Sequence, residues 1–165
     1  MAFDVDKKAL TSKYYALSRD WHPDKYTLDT AEKQQEALTK TSLINQGYKI
    51  LNDDQQRIRH ILDYLGAAPI EGQDKMSQEF LMEMMDLNEA IMDFKMDPSA
   101  ETKISIDSQI DQYKSEWWTA FLTATTDFDF ANPNPQKVSA VKAYYLKSKY
   151  LRRLKQNVES RQVEM

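Results

Sequence analysis

No cysteine occurs among the 165 residues of this chain. That absence removes disulfides, thiolate zinc sites, iron–sulfur ligation by cysteine and cysteine nucleophiles together. Two histidines are too few for a His-rich metal site. Three glycines leave no phosphate-cradling loop, since neither G-x-G-x-x-G nor a Walker pattern occurs. No apolar run approaches the ~18 residues that a membrane span needs. The opening Met1-Ala2-Phe3-Asp4-Val5-Asp6 has neither the basic nor the apolar segment of a secretory signal. Basic residues number 22 against 26 acidic ones, a net charge of −4, unlike the strongly basic domain of a general nucleic-acid binder. What is present, 41% hydrophobic and 29% charged residues, is the composition of a folded chain. The expectation is a cytoplasmic, helical protein that works through contacts, with no cofactor, metal, membrane or nucleic-acid partner.

The scarcity of Gly and Pro, with apolar residues at three- and four-residue steps, predicts helices throughout. The first starts after Asp6 as N-cap and carries Leu10, Tyr14, Leu17 and Trp21 on one face. It ends near Trp21, because the residue before Pro23 is pushed out of the α region. A second begins at Asp29-Thr30-Ala31-Glu32, which has capping-box spacing, with the stripe Ala37, Thr41, Ile44, Tyr48 and Leu51. A shorter third follows Asp53-Asp54-Gln55-Gln56, with Ile58, Ile61, Leu62 and Leu65 inward and Gly66 suited to its C′ position. Residues 66–75 hold two of the three glycines and read as a linker. Beyond them lie helical patterns over 76–97, 99–126 and 135–160. Asp97-Pro98 and Asn134-Pro135 each read as an N-cap followed by Pro at the first helical position. Three such helices with short connections make a bundle.

The strongest local signal is His22-Pro23-Asp24-Lys25, between a helix carrying Lys13 and Arg19 and a second, longer helix. Pro23 stops the first helix and leaves His22 and Asp24 at an exposed corner. With this HPD corner between helices, the chain resembles a J domain, the module by which J-proteins engage DnaK-class ATPase chaperones. More specifically it resembles HscB, the J-type co-chaperone of iron–sulfur cluster assembly, over nearly all its length. The resemblance rests on Trp21 to Tyr26, on Ile44-Asn45-Gln46-Gly47-Tyr48, and on Arg57 to Leu65. It rests also on Phe80-Leu81-Met82-Glu83 and the aromatic-rich last helix ending near Tyr150-Leu151. Members of that family usually begin with a short helix rich in Tyr, Phe and Leu, whereas this chain begins at Phe3-Asp4-Val5-Asp6. The expected J hairpin is therefore without that first helix here, either because this sequence is trimmed or because this member lacks it.

Residues 76–97 carry Phe80, Met84, Leu87, Ile91 and Phe94 at alternating four- and three-residue steps, a complete core stripe. Leu81, Met82 and Met85 fall off that stripe, on a face shared with Asp86, Glu89 and Asp93. Either this helix is buried on two sides of the bundle, or the surplus apolar residues, rimmed by carboxylates, form a binding surface. The resemblance favours the second. In HscB proteins this face holds the scaffold protein IscU, and Leu81, Met82, Met85, Asp86, Glu89 and Asp93 take the matching positions, with Tyr150 where the family has an aromatic contact.

Residues 137–155 carry seven basic residues and no acidic one, interleaved with Tyr144, Tyr145 and Tyr150. Such a run can bind single-stranded nucleic acid. With a negative net charge, Lys stems lying over the core are the better account. His60 reads as a surface or half-buried histidine. Trp117 and Trp118 point about 100° apart, so one is expected in the core and the other partly exposed. Asp53-Asp54 and Asp127/Asp129 read as caps and loop, without the spacing of a calcium site.

The expected fold is all-α in two units: a J-type hairpin with a short helix over 1–65, a linker over 66–75 and a three-helix bundle over 76–165. The resemblance implies bivalent delivery. Leu81, Met82, Met85 and the acidic rim would hold an IscU-type scaffold. Lys13, Arg19, His22, Pro23, Asp24 and Lys25 would dock on a DnaK/HscA-class chaperone and stimulate its ATPase, the chain having no active site of its own. A J-protein with a different client is the alternative. A plain helical interaction or nucleic-acid module would require the HPD corner to be accidental. Nothing in the sequence fixes an oligomeric state.

Overall fold

The computed structural model describes residues 2–70, 74 and 76–160, and every regular element among them is helical. The elements are α1 (Lys7–Asp20), a 3₁₀ turn (Pro23–Tyr26), α2 (Ala31–Asn52), α3 (Asp54–Tyr64), α4 (Gln78–Glu83), α5 (Met85–Met96), α6 (Ala100–Ala124) and α7 (Pro135–Glu159). The chain divides into two compact units, Met1–Ile61 and Leu62–Met165, with the division inside α3. Of the stretch expected as a linker, residues 71–73 and 75 lie outside the described residues, as do 161–165 at the end of the expected bundle.

In the first unit α1 opens as expected, the Asp6 carboxylate accepting from the Lys8 and Ala9 amides. Such a cap satisfies donors that the first helical turn cannot, for about 1 kcal/mol. The second helix is capped one residue later than expected. Thr30, not Asp29, is its N-cap, with Oγ1 accepting from the Lys33 amide. Glu32 bonds its own amide and Thr30, which holds its carboxyl below the usual carboxylate range. The α1 and α2 helices run antiparallel. Tyr14 stacks on Tyr48 at 4.1 Å, and the Tyr14 hydroxyl donates to Asn45 at 3.0 Å. Thr11 and Tyr48 hydroxyls meet at 3.2 Å. The inward face is thinner than the apolar spacing predicts: only Ala37 is buried on α2, while Leu17 and Leu51 are exposed.

The third helix ends in a Schellman motif. Gly66 sits at φ 65°, its amide donates to Asp63 O, and the Ala67 amide donates to Leu62 O. A left-handed residue at C′ is what glycine supplies without strain.

The second unit is a bundle whose core joins Phe80, Met84, Leu87, Ile91 and Phe94 to Ile106 and Ile110 of α6 and Leu151, Leu154 and Val158 of α7. Each such side chain contributes roughly 1.5–3 kcal/mol on leaving water. Ring contacts between Trp118 and Tyr144, and an ion pair between Asp111 and Lys155, show α6 and α7 antiparallel. Two expectations need correction. The helix expected over 76–97 is interrupted at Met84 (φ −88°, ψ 0°), where the Asn88 amide side chain donates to the Met84 carbonyl at 2.6 Å. And α6 starts on Ser99, whose hydroxyl accepts from the Thr102 amide, while Asp97 closes α5 by donating its amide to Asp93 O. Asn134 does cap α7, accepting from the Gln136 and Lys137 amides, with Pro135 at the first position.

Trp117 and Trp118 are both half-buried rather than divided between core and surface. Trp117 leans on Phe80, and Trp118 on Phe121 and Tyr144. The basic stretch of α7 is engaged within its own unit. Lys142 pairs with Asp74 at 2.6 Å, and Lys147 lies over the Phe80 and Trp117 rings. No helix among the described residues is long and apolar enough to cross a membrane.

Candidate functional site

The HPD corner is built by the end of one helix and held by the start of the next. Trp21 terminates α1, with its amide donating to Leu17 O. Pro23 then opens the 3₁₀ turn, for which its fixed φ is preset. His22 caps that turn: its Nδ1 accepts from the Asp24 amide at 3.3 Å. The Asp24 carboxylate lies 3.6 Å from the same Nδ1 and is almost wholly exposed. An imidazole and a carboxylate are thus presented together within one turn.

Braces from α2 fix this turn. The Thr41 hydroxyl donates to the Trp21 carbonyl at 2.6 Å, and Lys40 sits 3.6 Å above the Trp21 ring. The Trp21 and Tyr26 rings stack, and the Tyr26 hydroxyl donates to Asp20 O. Gln34 donates to both Thr27 O and Asp29 O. Sequence reading placed Trp21 and Tyr26 at the corner but gave Gln34 and Lys40 no role there, and it placed Thr41 in an apolar stripe. A hydroxyl at an inward stripe position, opposite the end of α1 whose last carbonyls have no helical partner, is the signal that could have found it. Lys13, Arg19 and Lys25 are all exposed. Six positions on a helix separate Lys13 from Arg19 by about 120°, so the two flank the corner rather than share one face.

The second cluster lies on α4 and α5. Leu81 is 46% exposed, Met82 74% and Met85 56%, so they are not buried on a second side of the bundle. Asp86, Glu89 and Asp93 are exposed along the same helix. Of these three, Asp86 acts on α6: burial first, then the charges of Glu83, Asp86 and Glu116, push the Tyr113 hydroxyl above its ordinary pKa. Tyr150 is placed differently from the others. It is half-buried, its hydroxyl accepts from Asn88 Nδ2 at 2.9 Å, its ring meets Phe80 edge-on, and the Arg153 guanidinium lies 5.2 Å from it. Tyr150 therefore braces the break between α4 and α5. Asn88, which links that break to α7, was not singled out by the sequence.

Residues 2–60 match the DnaJ domain model, and residues 76–159 match the model described as the HSCB C-terminal oligomerisation domain. A helical hairpin turning on an HPD corner, followed by a helical bundle of this kind, defines a J-domain co-chaperone. The co-chaperone protein HscB homolog of Shewanella sp. (strain MR-4) is 33% identical over 131 residues, 78% of this chain and 74% of that protein. The homolog of Shewanella sp. (strain ANA-3) is 34% identical over 113 residues, 68% of this chain but 64% of its own length, under two thirds of that relative. The chain belongs to the HscB co-chaperone family. Two solved structures share its fold. Human co-chaperone protein HscB has a TM-score of 0.83 at 21% identity, covering 99% of this chain and 78% of that one. Chaperone HscB from Vibrio cholerae has a TM-score of 0.73 at 22% identity, covering 98% and 92%.

Proposed function

We propose that this chain binds an IscU-type iron–sulfur scaffold through the α4–α5 face and stimulates the ATPase of a DnaK/HscA-class chaperone through its HPD corner. Residues 1–65 would act as the J unit, 66–75 as the connection and 76–165 as the scaffold-holding bundle, in a cytoplasmic setting. The observation that carries this reading is the exposure of Leu81, Met82 and Met85 beside Asp86, Glu89 and Asp93, in a chain of the HscB family. Apolar side chains kept in water beside carboxylates cost solubility unless a partner covers them. Tyr150 supports the face from behind by holding Asn88 and Phe80.

At the corner, His22, Pro23 and Asp24 supply a preset turn bearing an imidazole and a carboxylate, and Lys13, Arg19 and Lys25 add positive charge that steers an acidic partner. The covalent step, hydrolysis of ATP, belongs to the chaperone. Any cluster stays on the scaffold's own ligands, since this chain has no cysteine to receive it.

The test is a calorimetric titration with an IscU-type scaffold, beside Leu81→Ala/Met82→Ala/Met85→Ala, and an ATPase assay beside His22→Gln. Hot-spot truncations cost ~1–2 kcal/mol or more each, so the triple variant loses most binding. His22→Gln loses stimulation at unchanged scaffold affinity. Unchanged stimulation would sink the J-domain role. Stimulation without any scaffold binding would leave a J-protein with another client.

A further inference from the structure

The exposed apolar residues of α5 do not stop at Met85. Met92 is 65% exposed and Met96 85%. At 100° per residue, Met85, Met92 and Met96 fall within about 40° of one another, while Leu87, Ile91 and Phe94 point to the opposite side. Those three are buried in the bundle core, so nothing within this unit requires methionine on the far side. The stripe runs about 16 Å along the helix, three turns, where a solvated face would ordinarily carry Lys, Glu or Gln. Glu89 lies within it, and Asp86 and Asp93 line one edge.

We propose that the docking face runs the whole length of α5, with Met92 and Met96 forming its far half, and that it takes an apolar partner surface edged by Lys and Arg. This rests on the scaffold-binding reading and names the chemistry the scaffold must present. Charge decides between occupants. In a two-fold contact between copies of this chain, Asp86, Glu89 and Asp93 would face a second set of carboxylates, and like charges across an interface are costly. A basic-edged partner neutralises them. Methionine suits the contact because its unbranched thioether adapts to a surface not made for it alone.

The test compares Met92→Ala/Met96→Ala and Met92→Leu/Met96→Leu with the natural chain, by calorimetry against the same scaffold. The alanine pair is expected to weaken binding about tenfold, and the leucine pair less than twofold, both with unchanged melting temperature and ATPase stimulation. Full affinity in the alanine pair, while Leu81→Ala/Met82→Ala/Met85→Ala has lost binding, overturns the extension and leaves the proposed function standing. Full affinity in that triple variant, or no scaffold binding by the natural chain, overturns the proposed site and the extension with it. Sedimentation supplies the last arm. A natural dimer that the alanine pair turns into a monomer, at unchanged scaffold affinity, would assign the stripe to a second copy and overturn the proposal.

Discussion

Arg57 is only 2% exposed, yet it carries a permanent charge. Such a group is tolerated inside a fold only when its donors are spent. Nε donates to the Phe3 carbonyl at 2.9 Å, Nη1 to the Leu51 carbonyl at 2.6 Å and Nη2 to the Asp54 carboxylate at 2.9 Å. One side chain thereby ties the chain start, the end of α2 and the start of α3. A lysine keeps the charge but has a point of attachment, not a fork, and reaches at most part of this set. Arg57→Lys is expected to lower unfolding free energy by about 2–3 kcal/mol in urea titrations. A loss below ~0.5 kcal/mol would show that the three acceptors are satisfied without it. The resemblance marked Arg57 only as part of a family segment, because its role depends on Phe3, which lies 54 residues away.

At the scale of elements, the junction of α5 and α6 gives a direct test of which residue starts a helix. Asp97-Pro98 has the look of a cap with Pro at the first helical position, but the Asp97 amide is already used to close α5, and Ser99 caps α6. Ser99→Ala should cost about 1 kcal/mol and Asp97→Ala only a few tenths, read as melting temperatures. The reverse order would restore Asp97 as the cap. Helix number and type were legible elsewhere because periodicity is local: the five-residue core stripe from Phe80 to Phe94 is buried as its spacing implies. The break at Met84 was not, since it depends on Asn88 and on Tyr150, 62 positions further along the chain. The HPD corner was legible from its residues. The α2 stripe put Thr41 on the inward face but did not pair its hydroxyl with the Trp21 carbonyl, and Lys40 lies outside that stripe, so its place over the Trp21 ring was hidden.

For the whole molecule, shifted ionisations bound a pH window of stability. On the acid side stand Asp74, held down by Lys142 and by the Ile70 amide, Glu32, held down by its own amide and Thr30, and Asp129, held down by the Ala131 amide and Asn132. A carboxyl whose folded pKa is depressed stabilises the fold above its unfolded value, about 4, and that stability is lost as pH falls through the folded value. On the alkaline side stands Tyr113, raised by burial and by neighbouring carboxylates. There the folded chain holds a proton that the unfolded chain gives up near pH 10, so stability falls as pH climbs past about that point. Melting temperature should therefore be level from about pH 5 to 9 with respect to these groups, and decline beyond both ends. Asp74→Asn should make the acid decline shallower and leave the alkaline one as it was. Tyr113→Phe should do the reverse, while also freeing Asp86 of an ionising neighbour on the docking face. If Tyr113→Phe leaves the alkaline decline unchanged, the fold does not hold the Tyr113 proton more tightly than the unfolded chain does, and the decline belongs to other groups.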